Sequence, residues 1–373
     1  LSKRIGTLRT VKSTRRLAVA LTFAVVATAC GGGSTETTTT TALTTLPPVT
    51  DAPSTTVATT TSTTTTMQPL VPGDPSPLNG VPVEGAELLN RRVIAVKMDN
   101  HPDARPQSGI QETDAVFELL VEGGLTRFIG LFLQSDSEFY GPIRSLRPTD
   151  PELVRPLGAT LQISGGQPWI QSIARRADVD MLGESSPNTE RVANGRARER
   201  TLYGNTIEMR NVADDRNHPD SPPPQPLFDF GEPSPSDTTA EEVMLDWSDF
   251  PDVRWVWDGE RYLRFNGETP HTWIDVDGNE DQVAADVLVV LTAVKYFASP
   301  PAGSSGSSVP AMRTTGTGQA LLFHGGVLVE GTWERGSIEA PFELSLTDGS
   351  TMVVPPGRLW VSIFPTNRSV TWE

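Results

Sequence analysis

Between Asp99 and Arg147 the chain gathers the residues best suited to chemistry: Arg105, Arg127, Arg144 and Arg147, with the carboxylates Asp99, Glu118 and Glu122 among them. A guanidinium offers five donors in a planar fork, so a cluster of them suits two-point capture of carboxylate or phosphate. Gln107 and Ser108 follow Arg105 closely and would add neutral donors. Gly165 and Gly166, in "SGGQPWIQS", lie between a strand and a helix, where free backbone amides can hold an anion. The same residues support a plainer reading. Both signs interleave over a short span, so the arginines could be consumed in structural ion pairs with Glu112, Asp114, Glu118 and Glu122.

The carboxylates also carry an enzymatic alternative. Placed on one strand, Glu118 and Glu122 would share a face about 13 Å apart at ~3.3 Å per residue. That exceeds the roughly 5–9.5 Å used in glycoside hydrolysis, so either would have to work with Asp99 or Asp114. No Gly-x-Ser-x-Gly elbow is present, and Cys30 is the sole cysteine. Two of the four histidines, His101 and His218, sit in the same tetrapeptide, Asn-His-Pro-Asp. Proline fixes φ, and Asn and Asp cap their own backbone, so turn chemistry explains this repeat better than a metal, which needs three or four convergent ligands. The acids of "DVDGNEDQVAAD" meet Glu280 where a calcium loop requires glycine, and an Asp277-Gly278 turn accounts for them. No metal or cofactor is expected. Trp255 and Trp257 share a strand face, with Trp273 opposite; they read as core before they read as a stacking platform.

The elements that must position these residues follow from periodicity. "RRVIAVKMD" alternates as a strand, and "DAVFELLVEGG" and "TRFIGLFLQ" form a hairpin about Gly123-Gly124. Helices are predicted near 150–157 and 168–177, with "ATLQIS" as a strand between them. Beyond a Pro-, Asp- and Ser-rich segment the pattern is almost wholly β. It includes a hairpin at Asn266-Gly267, a long buried strand in "ADVLVVLTAVKYF", a hairpin across His324-Gly325-Gly326, and three closing strands with an Asp348-Gly349 turn. "SPPAGSSGSSVP" reads as a flexible insertion. The fold class is α+β: a mixed α/β-type N-terminal domain with antiparallel hairpins, then a mostly antiparallel β domain.

Net charge is −16, and subtracting the six positive charges of residues 1–29 leaves −22. So acidic a body repels phosphate backbones, and no nucleic-acid partner is expected. The basic start runs into "LAVALTFAVVATAC", an apolar run too short to span a bilayer, with small residues before Cys30. This has the form of a lipoprotein leader in which Cys30 is lipidated, anchoring the protein to the bilayer on its extracytoplasmic face. Ala27 departs from the pattern, which prefers a larger aliphatic residue. The organisation is then 1–29 signal peptide, 30–77 lipidated cysteine and disordered Thr/Pro-rich stalk, 78–213 first domain, 214–246 linker and 247–373 second domain.

"ARPQSGIQETDAVFELLVEGGLTRFIGLF", followed by "GPIRSLRP", resembles the YerB-like bacterial lipoproteins. "ISGGQP" is similar to that family's Gly-Gly-x-Pro segment, and "GTGQALLFHGGVLVEGTWERG" and "PPGRLWVSIFP" to its C-terminal domain. The resemblance covers about Leu88 to Pro365 and implies two consecutive domains of unknown function outside the cytoplasm. Where the family pattern has His-Asn-Leu-Tyr, this chain has "RTLY", keeping Leu202 and Tyr203. The leading expectation is a protein that binds an anionic cell-envelope ligand or a protein partner. The competing one is an envelope enzyme acting on a wall polymer or phosphorylated substrate.

Overall fold

The computed structural model describes residues 73–250 and 252–373. The expected leader, Cys30 and most of the stalk lie outside them. The last stalk residues belong to the folded body: Ser76 is fully buried and its Oγ donates to Gln134 Oε1 at 2.7 Å.

A ten-stranded mixed sheet organises the molecule. Its strands in chain order are β1 (Ile94–Asp99), β2 (Ala115–Leu120), β3 (Thr126–Phe132), β4 (Thr160–Gln162), β5 (Met181–Leu182), β6 (Val287–Ala293), β7 (Gly316–His324), β8 (Val327–Arg335), β9 (Glu343–Leu346) and β10 (Leu359–Pro365). Across the sheet they run β9-β8-β7-β6-β10-β2-β3-β1-β4-β5. The two hairpins anticipated about Gly123-Gly124 and Gly325-Gly326 are β2/β3 and β7/β8. The join between the two halves is parallel: β10 lies beside β2 with Ser362 opposite Glu118. Both strands are buried throughout, as parallel strands covered on both faces must be. The segment 214–246 thus connects two parts of one sheet-centred core.

A second sheet packs on one face of the first. It takes Glu242–Leu245, Val253–Trp257, Tyr262–Asn266, Thr269–Pro270 and Val370–Trp372, with Ala284–Ala285 alongside. Trp255 meets Trp360 edge-on at 5.1 Å, and Trp247 meets Phe364 at 5.0 Å. Trp255 is therefore core, as its alternation with buried Val253 predicts. Gln107–Ser108 pairs in parallel with Thr272–Ile274, tying the halves together a second time.

Several elements differ from expectation. Glu122 lies in a 3₁₀ turn, Glu122–Gly124, beyond the end of β2, so it does not share a strand face with Glu118. The run predicted as one strand to Phe297 breaks at Val294. Val287–Ala293 is buried, but a charged Lys295 cannot follow it into the core, and Lys295–Ala298 turns outward to pair with Val309–Met312. Of the three closing strands, β9 and β10 form; the third is reduced to two isolated bridges, Thr351 to Ser345 and Val354 to Phe230, ahead of Pro355-Pro356, which have no N–H to continue it. The glycine-rich insertion is pinned near its end, where the Ser307 amide donates to Gln167 Oε1 at 2.7 Å.

Candidate functional site

Strand alternation sends the candidate residues to opposite faces of the central sheet. Glu118 is registered with Phe128, while Arg127 is registered with Leu119 and Asp99. One face carries Glu118; the other carries Arg127, Asp99 and Lys97.

On the Glu118 face a fully buried polar chain crosses between the sheets. Glu118 accepts from Thr126 Oγ1 at 2.6 Å, Arg264 Nη2 at 2.7 Å and Trp360 Nε1 at 2.9 Å. Arg264 is itself sealed, with its guanidinium over the rings of Phe128 and Trp360. A guanidinium only donates, so His271 Nδ1 accepts from Arg264 Nη1, and His271 Nε2–H donates to Gln107 Oε1 at 2.8 Å. Burial and the charge of Arg264 hold the imidazole pKa well below its usual value, which keeps His271 neutral. Gln107 Nε2 then donates to the Asp99 carbonyl at 2.9 Å. Ser108 contributes its backbone N–H to Gly141 O at 2.9 Å. Glu118, Gln107 and Ser108 are thus bound into structure.

The opposite face holds the other arginines. Arg147 Nε donates to Glu122 Oε2 at 2.6 Å, so this pair takes the structural reading. Arg144 Nε lies 3.2 Å from Asp99 Oδ2, and Arg200 Nε lies 3.7 Å from the same oxygen. Neither is aligned for a hydrogen bond, so Asp99 Oδ2 is held by charge alone. Arg127 donates to Ser145 O at 3.1 Å and has no carboxylate in ion-pair range among the described residues. Burial, then Arg147 and Arg144, push its pKa down to about 10. Gly165 and Gly166 lie alongside 144–146, and their carbonyls accept from Leu146 N and Gln171 Nε2. Gln167 at the helix N-cap takes Trp169 Nε1 and the Ser307 amide, so the insertion covers this end.

Arg105 differs from both groups. Nε and Nη2 donate to Asn100 Oδ1 and O, each at 3.0 Å, and no described carboxylate lies in ion-pair range. Burial, then the charge of Arg264, lower its pKa to about 10. It lines a cavity of about 440 Å³ with Leu125, Phe250, Asn266, Thr269 and Thr272, and is the one charged residue there. The first Asn-His-Pro-Asp builds this corner: His101 Nδ1 caps Asp103 N at 3.1 Å, and Asn100 bridges Arg105 and Thr126. The second closes over Arg92, whose side chain reaches the carbonyls of His218 and Pro219. Neither holds a metal-ligand set; among the described residues no such cluster occurs.

The residues 78–219 match the family described as "Protein of unknown function (DUF3048) N-terminal domain", and 243–361 match its C-terminal domain. The chain belongs to the YerB-like family. A stretch of 72 residues is 46% identical to "Putative lipoprotein YerB" of Bacillus subtilis (strain 168), covering 19% of this chain and 22% of that relative's length. The crystal structure of the YerB protein from Bacillus subtilis superposes with a TM-score of 0.66 at 23% identity, over 80% of this chain and 99% of the other, which shows a shared fold. Where the YerB-like pattern has His-Asn, this chain places Arg200 and Thr201, and Arg200 stands beside Asp99.

Sequence reasoning missed Arg200, Arg264, His271 and Phe250. Arg264 alternates with buried Tyr262, which marks it as inward-facing, but its partner lies 146 residues away. Phe250, in "DWSDFPD", carries no periodicity at all.

Proposed function

We propose that this protein is a lipoprotein anchored through Cys30 on the extracytoplasmic face of the cell membrane, and that it binds an anionic cell-envelope ligand at Arg105. The observation that carries the binding reading is a half-buried guanidinium without a carboxylate partner, facing a cavity in which it is the sole charge. The cavity volume falls within the ~300–1,000 Å³ of small-molecule sites. An anion there would supply the counter-charge that the fold withholds. The enzymatic alternative loses support because Glu118 is sealed by three donors and Glu122 is engaged by Arg147. The leader pattern of residues 17–30 and the lipoprotein name of the relative support the anchor.

Thermal-shift screening of the full chain against acidic envelope fragments should give a rise in melting temperature that Arg105→Gln abolishes. A rise that survives that substitution overturns the site. For the anchor, metabolic labelling with a palmitate analogue should mark the wild type and leave Cys30→Ala unmarked.

A further inference from the structure

Lys97 stands mid-strand in β1, opposite Ile129 of β3, and Asp150 opens the helix Asp150–Val154. Both side chains are wholly enclosed, and Lys97 Nζ lies 2.7 Å from Asp150 Oδ1. The other carboxylate oxygen, Oδ2, accepts from the Arg147 backbone N–H at 2.7 Å.

A charged lysine is poorly served in this place. An ammonium carries three N–H donors, and Asp150 is the single acceptor that Nζ reaches among the described residues. Buried donors without acceptors are rare in folded proteins, and an enclosed ion pair offsets its desolvation only when its remaining hydrogen-bonding capacity is met. Burial first, against the pull of Asp150, and then the charges of Arg127 and Arg147 lower the Lys97 pKa from 10.5 to about 8. The neutral amine, a nucleophile, is accessible near neutral pH.

We propose that Lys97 and Asp150 condense into an intramolecular isopeptide bond, tying β1 to the helix across 53 residues of sequence. One proton passes from Nζ to Oδ1 along their hydrogen bond, leaving a neutral amine and a carboxylic acid. The nitrogen lone pair then attacks Cγ, and the carbonyl electrons move onto Oδ2, where the Arg147 N–H receives them with the charges of Arg127 and Arg147 nearby. As the carbonyl re-forms, the bond from Cγ to Oδ1 breaks, and Oδ1 takes a second proton from the nitrogen and leaves as water. Nothing is oxidised or reduced, and no co-reactant is consumed. The product keeps the Arg147 hydrogen bond on Oδ2 and has one N–H where the ammonium had three. With Cys30 as its sole cysteine the chain has no intramolecular disulfide available, and an isopeptide is the covalent tie its composition allows.

Peptide mapping of the full chain reads the bond directly. Trypsin cuts after Arg92 and after an unmodified Lys97, releasing Val93–Lys97, but it does not cut after a lysine acylated on Nζ. The wild type, folded, then unfolded in urea and digested, should yield little of that peptide. In its place should appear a branched species joining the segment that carries Lys97 to the one that carries Asp150, lighter than their sum by one water. Lys97→Arg and Asp150→Ala should each return the two segments as separate linear peptides. The wild-type map decides the matter even where a variant fails to fold. Release of Val93–Lys97 from most wild-type chains, with no branched species, would overturn the bond and leave an ordinary buried ion pair. A branch running from Lys97 to any other carboxylate would overturn the pairing with Asp150.

Discussion

At Glu118 and Glu122, four residues apart and similar on paper, burial decides the outcome. Glu118 and Arg264 are both fully enclosed at 2.7 Å, whereas the Glu122 side chain keeps 40% of its exposure beside Arg147. Removing one member of a buried pair strands the other's charge, so Glu118→Gln should cost about 3–5 kcal/mol in urea unfolding. Glu122→Gln should cost less than about 1 kcal/mol, as exposed pairs do. Comparable losses would refute this ordering. Asp114 supplies a pH dependence. Burial raises its folded pKa from 3.8 to about 6, against the opposing hydrogen bond from the Leu133 amide. The folded state then holds the proton more tightly than the unfolded chain, so the stabilisation is complete below about pH 4 and is lost as pH rises through 6. Asp114→Asn should remove that downward slope from denaturation curves taken at pH 4 to 6. The residue types at these positions were legible in the sequence. Which arginines lacked a counter-charge was not: the surroundings of Arg105 are set by Asn100 from its own loop and by Arg264 from a strand more than 150 residues on.

Among the elements, short-period patterns were read correctly wherever one face is buried. The β2/β3 and β7/β8 hairpins and the helices Pro168–Arg176 and Asp150–Val154 lie where alternation and turn residues put them. Failures came where a local pattern met a charge or a proline, as at Lys295 and Pro355. The sheet edge gives a test at this scale. A Cβ on Gly331 of β8 would lie 2.1 Å from Ser345 O of β9, so the two backbones meet only because that position is bare. Gly331→Ala should lower stability by about 1–3 kcal/mol, seen as a lower urea midpoint with the slope unchanged. An unchanged midpoint would show that β9 is free to shift.

Across the whole molecule, the parallel β2/β10 join and Arg358 bind the two family segments into one body. Arg358 Nη1 donates to Gln111 O at 2.6 Å and Thr113 O at 2.5 Å, while Nε donates to Ala284 O at 2.9 Å. Denaturant unfolding should therefore follow one transition, coincident by tryptophan fluorescence and circular dichroism. Two resolved transitions would mean that the halves fold independently. Nothing in the sequence announced this join, since parallel pairing at long range leaves no local signature. The same join sets the small sheet over the Glu118 face, and residues from that sheet and its flanking loops line the Arg105 cavity. Calorimetric titration of digalacturonate into Arg105→Gln and Arg144→Gln tests the account most directly. A charge-assisted contact is worth about 1.5–3 kcal/mol, so Arg105→Gln should weaken binding about tenfold or more, and Arg144→Gln, whose guanidinium already faces Asp99, should leave it within about twofold. The reverse pattern, with Arg144 essential and Arg105 dispensable, would contradict it.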